Sequence, residues 1–90
     1  MTNYNYINTK MYIEIFTDYL INSDDVVGIF DLDNTTTNKF TNDFLNQKQK
    51  EDKITYLVSD IPKSFILMND GSVYIVELSS QILKKRFEII

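Results

Sequence analysis

The 90-residue sequence contains no cysteine, no histidine and no tryptophan. Without cysteine, the chain forms neither a disulfide framework nor a thiolate metal site. Without histidine, it lacks the usual general base near neutral pH and the commonest metal ligand. Any catalysis would depend on carboxylates, hydroxyls, lysines or a bound ion. We therefore expect no metal and no cofactor.

Long apolar runs are also absent, because no stretch approaches the roughly 20 apolar residues of a membrane span. The first ten residues, MTNYNYINTK, lack the basic start and apolar core of a signal peptide. We expect a cytoplasmic protein with no membrane contact. Residues 1–10 are predicted to be an N-terminal extension, either a tail or an arm that packs on a neighbouring subunit. Residues 11–90 are predicted to form a single domain.

Small size and uneven charge constrain the partners. A domain this small buries only about 60% of its unfolded surface, so we expect a homo-oligomer. The net charge is −4. Residues 11–34 hold six acidic and no basic side chains, whereas residues 35–90 hold eight basic and seven acidic ones. Such a chain does not attract nucleic acid as a whole, although a local basic face still can.

Hydrophobic periodicity predicts an α+β fold in the order βββ-α-βββ-α, with a small, mainly antiparallel sheet and two amphipathic helices. The first helix begins near Thr37 and ends near Asp52, and Ser79 and Ser80 cap the second. Asn69-Asp70-Gly71 is a hairpin signal between the last two strands. The strands are predicted at 11–16, 18–22, 24–30, 54–58, 63–68 and 72–78.

Aromatic residues are assigned to the core and to the strands. We expect four phenylalanines in the core: Phe16, Phe30, Phe65 and Phe87. On the first helix, the apolar edge comprises Phe40, Phe44 and Leu45, and on the second it comprises Ile82, Leu83 and Phe87. The tyrosines on strands either cover a sheet face or form a subunit interface, and the sequence leaves both open: Tyr12, Tyr19, Tyr56 and Tyr74.

One motif resembles the nucleophile site of haloacid-dehalogenase-type phosphatases: GIFDLDNTT, residues 28–36. In that chemistry the first aspartate is the nucleophile, the second is the acid and base, and magnesium bridges carboxylate and phosphate. Asp31 and Asp33 have this spacing. The remaining groups of such a site have counterparts in Ser59, Lys63 and Asp70.

The predicted topology argues against a phosphatase. That fold needs parallel crossovers of at least about 10–12 residues, whereas the strands at 54–58 and 63–68 are only four residues apart. Such a connection predicts an antiparallel hairpin. Ser59, Lys63 and Asp70 are then not expected to line one carboxyl edge behind Asp31. We interpret the motif as a strand end followed by helix-capping residues, and the protein as a non-enzyme.

Three segments together resemble the RemA/RemB family, which are small bacterial regulators of extracellular-matrix genes. The segments are VVGIFDLDNTT (26–36), LVSDIPKSFIL (57–67) and LSSQILKKR (78–86). Their order and spacing are most similar to the RemB branch, and the resemblance spans residues 11–87. It implies that residues 11–90 form a RemA/RemB-like domain. Residues 1–10 are not part of the family pattern, Asp33 stands where the branch usually has Glu, and Glu77 stands where proline is common.

The resemblance implies a small cytoplasmic regulator. Members of the RemA branch assemble into closed rings and bind DNA through arginines arrayed around the ring. In that branch the segment matching SDIPKSFIL is arginine-rich, whereas here its basic residue is Lys63. An arginine before the strand VVGIF is replaced here by Asp25. The family's DNA-reading residues are therefore not carried over to this chain.

The candidate DNA phosphate contacts are Lys63, Lys84, Lys85 and Arg86. Residues 84–86 span about 200° of the helix circumference, so they do not share one narrow face. They either offset the helix dipole and solvate the surface, or form a phosphate-binding array once a ring repeats them. Two functions remain open: a DNA-associated regulator of extracellular-matrix genes, or a protein-interaction module whose acidic residues 11–34 face another regulatory protein.

Overall fold

A computed structural model of the protein describes residues 11–32 and 39–88. The predicted N-terminal extension, Asp33 and the capping cluster at 34–37 lie outside the described residues. The elements are β1 (Tyr12–Phe16), β2 (Tyr19–Asn22), a 3-10 helix (Ser23–Asp25), β3 (Val26–Asp31), α1 (Lys39–Lys50), β4 (Ile54–Leu57), β5 (Ser64–Met68), β6 (Val73–Val76) and α2 (Ser80–Glu88). The predicted α+β class and the order of its strands and two helices are confirmed.

The strands form two sheets. β1 and β2 make an antiparallel hairpin, and the other four strands form a sheet in the order β3-β5-β6-β4. Pairing is antiparallel between β3 and β5 and between β5 and β6, but β4 and β6 are parallel. The predicted hairpin between 54–58 and 63–68 is therefore wrong. β5 turns back on β6 instead, and β4 lies on the far side of β6.

The four-stranded sheet separates two apolar clusters. On one face, the β1–β2 hairpin and α2 cover a cluster that includes the fully buried Ile15, Ile66 and Leu83. On the other face, α1 packs Phe44 and Leu45 against Phe65 and its neighbours. The alternation of side chains along β5 explains the division, because Ile66 and Phe65 point to opposite faces. The sheet is the middle layer of three.

One predicted core position, Phe30, and one residue of the predicted apolar edge of the first helix, Phe40, are exposed. Phe30 is 42% exposed, although its ring stacks on Phe65 with centroids 4.9 Å apart. Phe40 is 84% exposed at the start of α1. Phe30 lies on β3, an edge strand of the sheet, so only one side of its ring has a strand neighbour. Phe65, on a central strand, is buried as expected.

Left-handed residues end α1 and shape the last hairpin. The N–H of Asp52 donates to the carbonyl of Gln49 and that of Lys53 to the carbonyl of Lys48. Asp52 itself has a φ of 59°. This is a Schellman ending, with an aspartate at the position that glycine usually occupies. In the β5–β6 turn, Gly71 has a φ of 86°, which confirms the predicted turn.

Candidate nucleic-acid interface

The cations of α2 are positioned by one buried side chain. Leu83 is fully buried against the hairpin and the sheet, and Ser79 caps the helix by accepting from the Ile82 N–H at 3.2 Å. Successive helical residues are turned by about 100°, so Lys84 and Lys85 point away from that buried contact. Both are exposed. The helix therefore presents two lysines to solvent on a rigid support.

Arg86 ties α2 to the hairpin. Its Nη1 donates to the backbone carbonyl oxygen of Glu14 at 2.6 Å, and the side chain is half-buried. A guanidinium has five N–H donors, so this bond leaves others available. Arg86 lines a recess of about 260 Å³ between the end of β1 and the segment that precedes α2. Arg86 thus has a structural role, in addition to its predicted role as a DNA phosphate contact.

Lys63 lies at the start of β5, at the end of the sheet where β3 finishes. Its N–H donates to the carbonyl of Val76, and its carbonyl accepts from the Leu32 N–H, both at 2.9 Å. These bonds fix its backbone between two strands while its side chain remains exposed. Within residues 11–32 and 39–88, the side chains of Lys63, Lys84 and Lys85 have no hydrogen-bond or ion-pair partner.

A carboxylate stands between Lys63 and Arg86. Glu77 and Leu78 line both the recess of Arg86 and a second one, of about 360 Å³, that includes Lys63. Glu77 accepts from the Ser59 N–H at 2.9 Å and from its hydroxyl at 3.1 Å. The N–H bond is the main cause that lowers the pKa of Glu77, so this group is negatively charged at neutral pH. It weakens the positive potential between the two cations.

Sequence reasoning missed the position of Glu77. The available signal was its place one residue before Leu78 and the last helix, where proline is common in the resembling family. The buried hydroxyl of Ser64 was missed as well. It donates to the carbonyl oxygen of Leu78 and so holds the same segment against β5. The bonds of Glu77 and Leu78 thus hold the segment that lines both recesses.

The topology corrects one step of the argument against a phosphatase. β3, β6 and β4 all run in the same direction, so Ser59 and Lys63 do lie at the edge where β3 ends. However, β3 and β4 are three strand spacings apart, about 14 Å. Ser59 is bonded to Glu77 instead. Asp70 lies in the β5–β6 turn at the opposite end of the sheet.

Two further observations concern ligands and membranes. Among the described residues, no group of three or more acidic side chains is placed to hold a metal ion. Neither α1 nor α2 is long or apolar enough to cross a bilayer.

Comparison with known proteins finds a bacterial relative that aligns with most of the chain. The chain is 36% identical over 76 residues to extracellular matrix regulatory protein B of Bacillus subtilis (strain 168). The aligned region covers 84% of this chain and 89% of that relative. No family model matches the chain. The aligned region is far longer than any one motif, so the similarity concerns most of both chains.

Proposed function

This chain belongs to the RemA/RemB family, in its RemB-like branch, and from that premise we propose that it is a non-enzymatic regulator of extracellular-matrix genes. We infer that it acts in the cytoplasm as a homo-oligomer, of the ring type, that associates with DNA. The similarity to a protein named as an extracellular matrix regulator carries the regulatory part of this proposal. The DNA part depends on the chain's own cations.

The arrangement of the lysines supports phosphate binding. Lys63, Lys84 and Lys85 are exposed and, in the described part of the chain, engage no carboxylate. Arg86 gives Glu14 one of the five N–H donors of its guanidinium, and within residues 11–32 and 39–88 no further hydrogen bond engages the others. Phosphate contacts of this kind position a protein on DNA without reading its sequence. We therefore propose DNA association through the backbone rather than recognition of particular bases.

Oligomerisation is essential to this proposal. Four cations on one small acidic chain bind a duplex weakly, and Glu77 reduces their effect further. A ring repeats the same set once per subunit along the DNA, so weak contacts add at a high effective concentration. Each neutralised phosphate also releases counterions, so the affinity of such an array falls steeply with salt.

A protein-interaction module of the same fold is the second candidate. It is supported by an apolar recess of about 230 Å³ on the α1 side of the sheet, lined by Phe30, Phe40, Thr41, Phe44, Phe65 and Leu67. Exposed aromatic residues of this kind are enriched at protein interfaces. In this alternative the acidic residues preceding α1 face another regulatory protein, and the lysines only solvate the surface.

A charge-reversal series separates the two candidates. We expect Lys84→Glu and Lys63→Glu each to weaken the binding of a labelled duplex at low salt by at least tenfold, because every subunit of the ring then presents a repulsive charge. Lys50→Glu is the matched control, since Lys50 is an exposed lysine on α1, on the opposite face of the sheet. Equal loss in all three variants would indicate a net-charge effect and contradict the assigned contacts.

A further inference from the structure

The four-stranded sheet ends in two strands whose outer edges have no strand partner within residues 11–32 and 39–88. β3 pairs with β5, and β4 pairs with β6. Proteins usually protect such edges with charges, prolines, bulges or very short strands. β4 is short, at four residues, but contains no charged residue and no proline. β3 has an irregularity between Val26 and Gly28 and ends at the charged Asp31, but its last four residues are regularly paired. That regular stretch equals β4 in length.

The two edge strands point in the same direction. β3 is antiparallel to β5, β5 is antiparallel to β6, and β6 is parallel to β4. If a second copy adds to the sheet in the same orientation as the first, its β4 therefore lies parallel to β3 of the first copy. This is a head-to-tail contact between two different surfaces, the kind that generates rings when its rotation closes.

A row of side chains across the sheet supports this continuation. The pairing aligns Phe30 with Phe65, Phe65 with Ile75, and Ile75 with Tyr56. Phe65 and Ile75 are buried, at 4% and 5% exposure, whereas the two end members of the row are 42% and 55% exposed. All four lie on the α1 side, where the Tyr56 hydroxyl donates to Gln49. Phe30 and Tyr56 are thus the two exposed ends of a row whose inner members are buried.

We propose that the subunits of the oligomer join through a parallel β4–β3 junction, in which Tyr56 of one copy packs beside Phe30 of the next. This inference rests on the proposed function, because it supplies the interface for the oligomer proposed there. The junction extends the sheet by backbone hydrogen bonds and completes the row of apolar side chains on both sides. Cross-strand aromatic pairs of this kind stabilise sheets.

A two-fold contact between two β3 strands fits less well. Antiparallel pairing of β3 with itself brings the end that follows Asp25 beside the end that carries Asp31 of the other copy. Like charges placed opposite each other across strands are destabilising. Such a dimer also leaves both β4 edges unpaired. The head-to-tail junction uses both edges in every copy.

A mixing experiment tests the junction. Phe30→Glu disables the β3 edge and Tyr56→Glu disables the β4 edge, and the solution mass of each variant is measured by light scattering. We expect each variant alone to be a monomer. An equimolar mixture should form a species of two chains, because the intact β4 of the first variant pairs with the intact β3 of the second. Leu20→Glu is the control, since Leu20 is 56% exposed on the separate hairpin, and it should keep the wild-type mass.

A second pair of variants protects the test against misfolding. Val27→Lys on β3 and Thr55→Lys on β4 change exposed side chains and place a charge on each edge. These lysine variants should give the same masses as the glutamate variants: a monomer for each variant alone and a species of two chains when they are mixed. A Tyr56→Glu protein that forms a dimer would overturn the inference in favour of a β3–β3 contact. Folded variants of both edges that keep the wild-type mass would also overturn it.

DNA binding distinguishes this inference from the proposed function. If the edge variants keep the wild-type mass and bind a labelled duplex as the wild type does, the junction is wrong and the proposed function stands. If the mixed variants form the two-chain species but the wild-type oligomer binds no duplex at low salt, the junction stands and the DNA role fails.

Discussion

At the scale of single residues, side-chain bonds decide which groups are available for function. Arg86 is partly committed to the carbonyl of Glu14, whereas Lys84 and Lys85 are not. The sequence predicted these three cations as one group, because residue type and spacing were the only information available. Their separation depends on where the β1–β2 hairpin docks against α2, and no local pattern in residues 80–88 encodes that contact.

Titration of Tyr74 tests the docking of the hairpin. The hydroxyls of Tyr19 on β2 and Tyr74 on β6 share a hydrogen bond of 3.3 Å, which with partial burial raises the pKa of Tyr74 from 10.0 to about 12. The stability linked to this raised pKa is fully present below pH 10 and is lost as pH rises towards 12. We expect the free energy of unfolding to fall more steeply between pH 10 and 12 in the wild type than in Tyr74→Phe. Denaturant unfolding at several pH values in this range measures this free energy. Profiles of free energy against pH that superimpose for the two proteins would contradict the hydrogen bond between Tyr19 and Tyr74.

Replacement of Glu77 tests the electrostatic part of the site. Glu77→Gln removes the negative charge between the recesses of Lys63 and Arg86 but keeps an oxygen that accepts from Ser59. A unit charge about 8 Å from a phosphate costs about 0.5 kcal/mol in water, so duplex affinity should rise roughly twofold at low salt. Asp52→Asn, at the end of α1 on the opposite face of the sheet, is the charge-matched control, because within residues 11–32 and 39–88 the Asp52 side chain pairs with no cation. An equal rise in that control would show a general effect of net charge.

At the scale of elements, alternation and turn residues predicted the strands and both helices, but not all of the strand pairing. The short connection between β4 and β5 suggested a hairpin, because a short connection makes two consecutive strands run in opposite directions. It does not determine whether they pair with each other. Val73 and Val76 are fully buried in the clusters on opposite faces of the sheet, so β6 is covered on both faces and suits a central position between two strands. β5 pairs with one edge of β6, and β4 pairs with the other edge in parallel. Such pairing between distant segments depends on the packing of the whole sheet, which a local pattern does not encode.

The C-terminal end of α1 gives a prediction about stability. Asp52 has a φ of 59°, a conformation that costs an L-residue about 1 kcal/mol or more. Asp52→Gly and Asp52→Ala remove the same charge, but only glycine relieves this cost. We expect the glycine variant to be more stable to unfolding than the alanine variant by about 1 kcal/mol, measured by urea titration. Equal stabilities would show that residue 52 does not hold this conformation in solution.

At the scale of the whole molecule, charge and assembly are the connected questions. A chain with a net charge of −4 binds DNA only if its cations are collected on one surface and repeated. The class of fold and the family followed from the sequence, whereas the exposure of Phe30 and Tyr56 at opposite edges did not. Edge positions are determined by the order of strands in the sheet, and that order became apparent only in the structure.

The central claim is that an oligomer of this protein holds DNA through repeated phosphate contacts. It is tested most directly by fluorescence-anisotropy titration of a generic labelled duplex with the wild-type protein at about 50 and 200 mM salt. We predict binding at the lower salt and at least a tenfold loss of affinity at the higher, because several counterions are released per complex. Folded, oligomeric protein that does not bind the duplex at about 50 mM salt would contradict the account and favour the protein-interaction module.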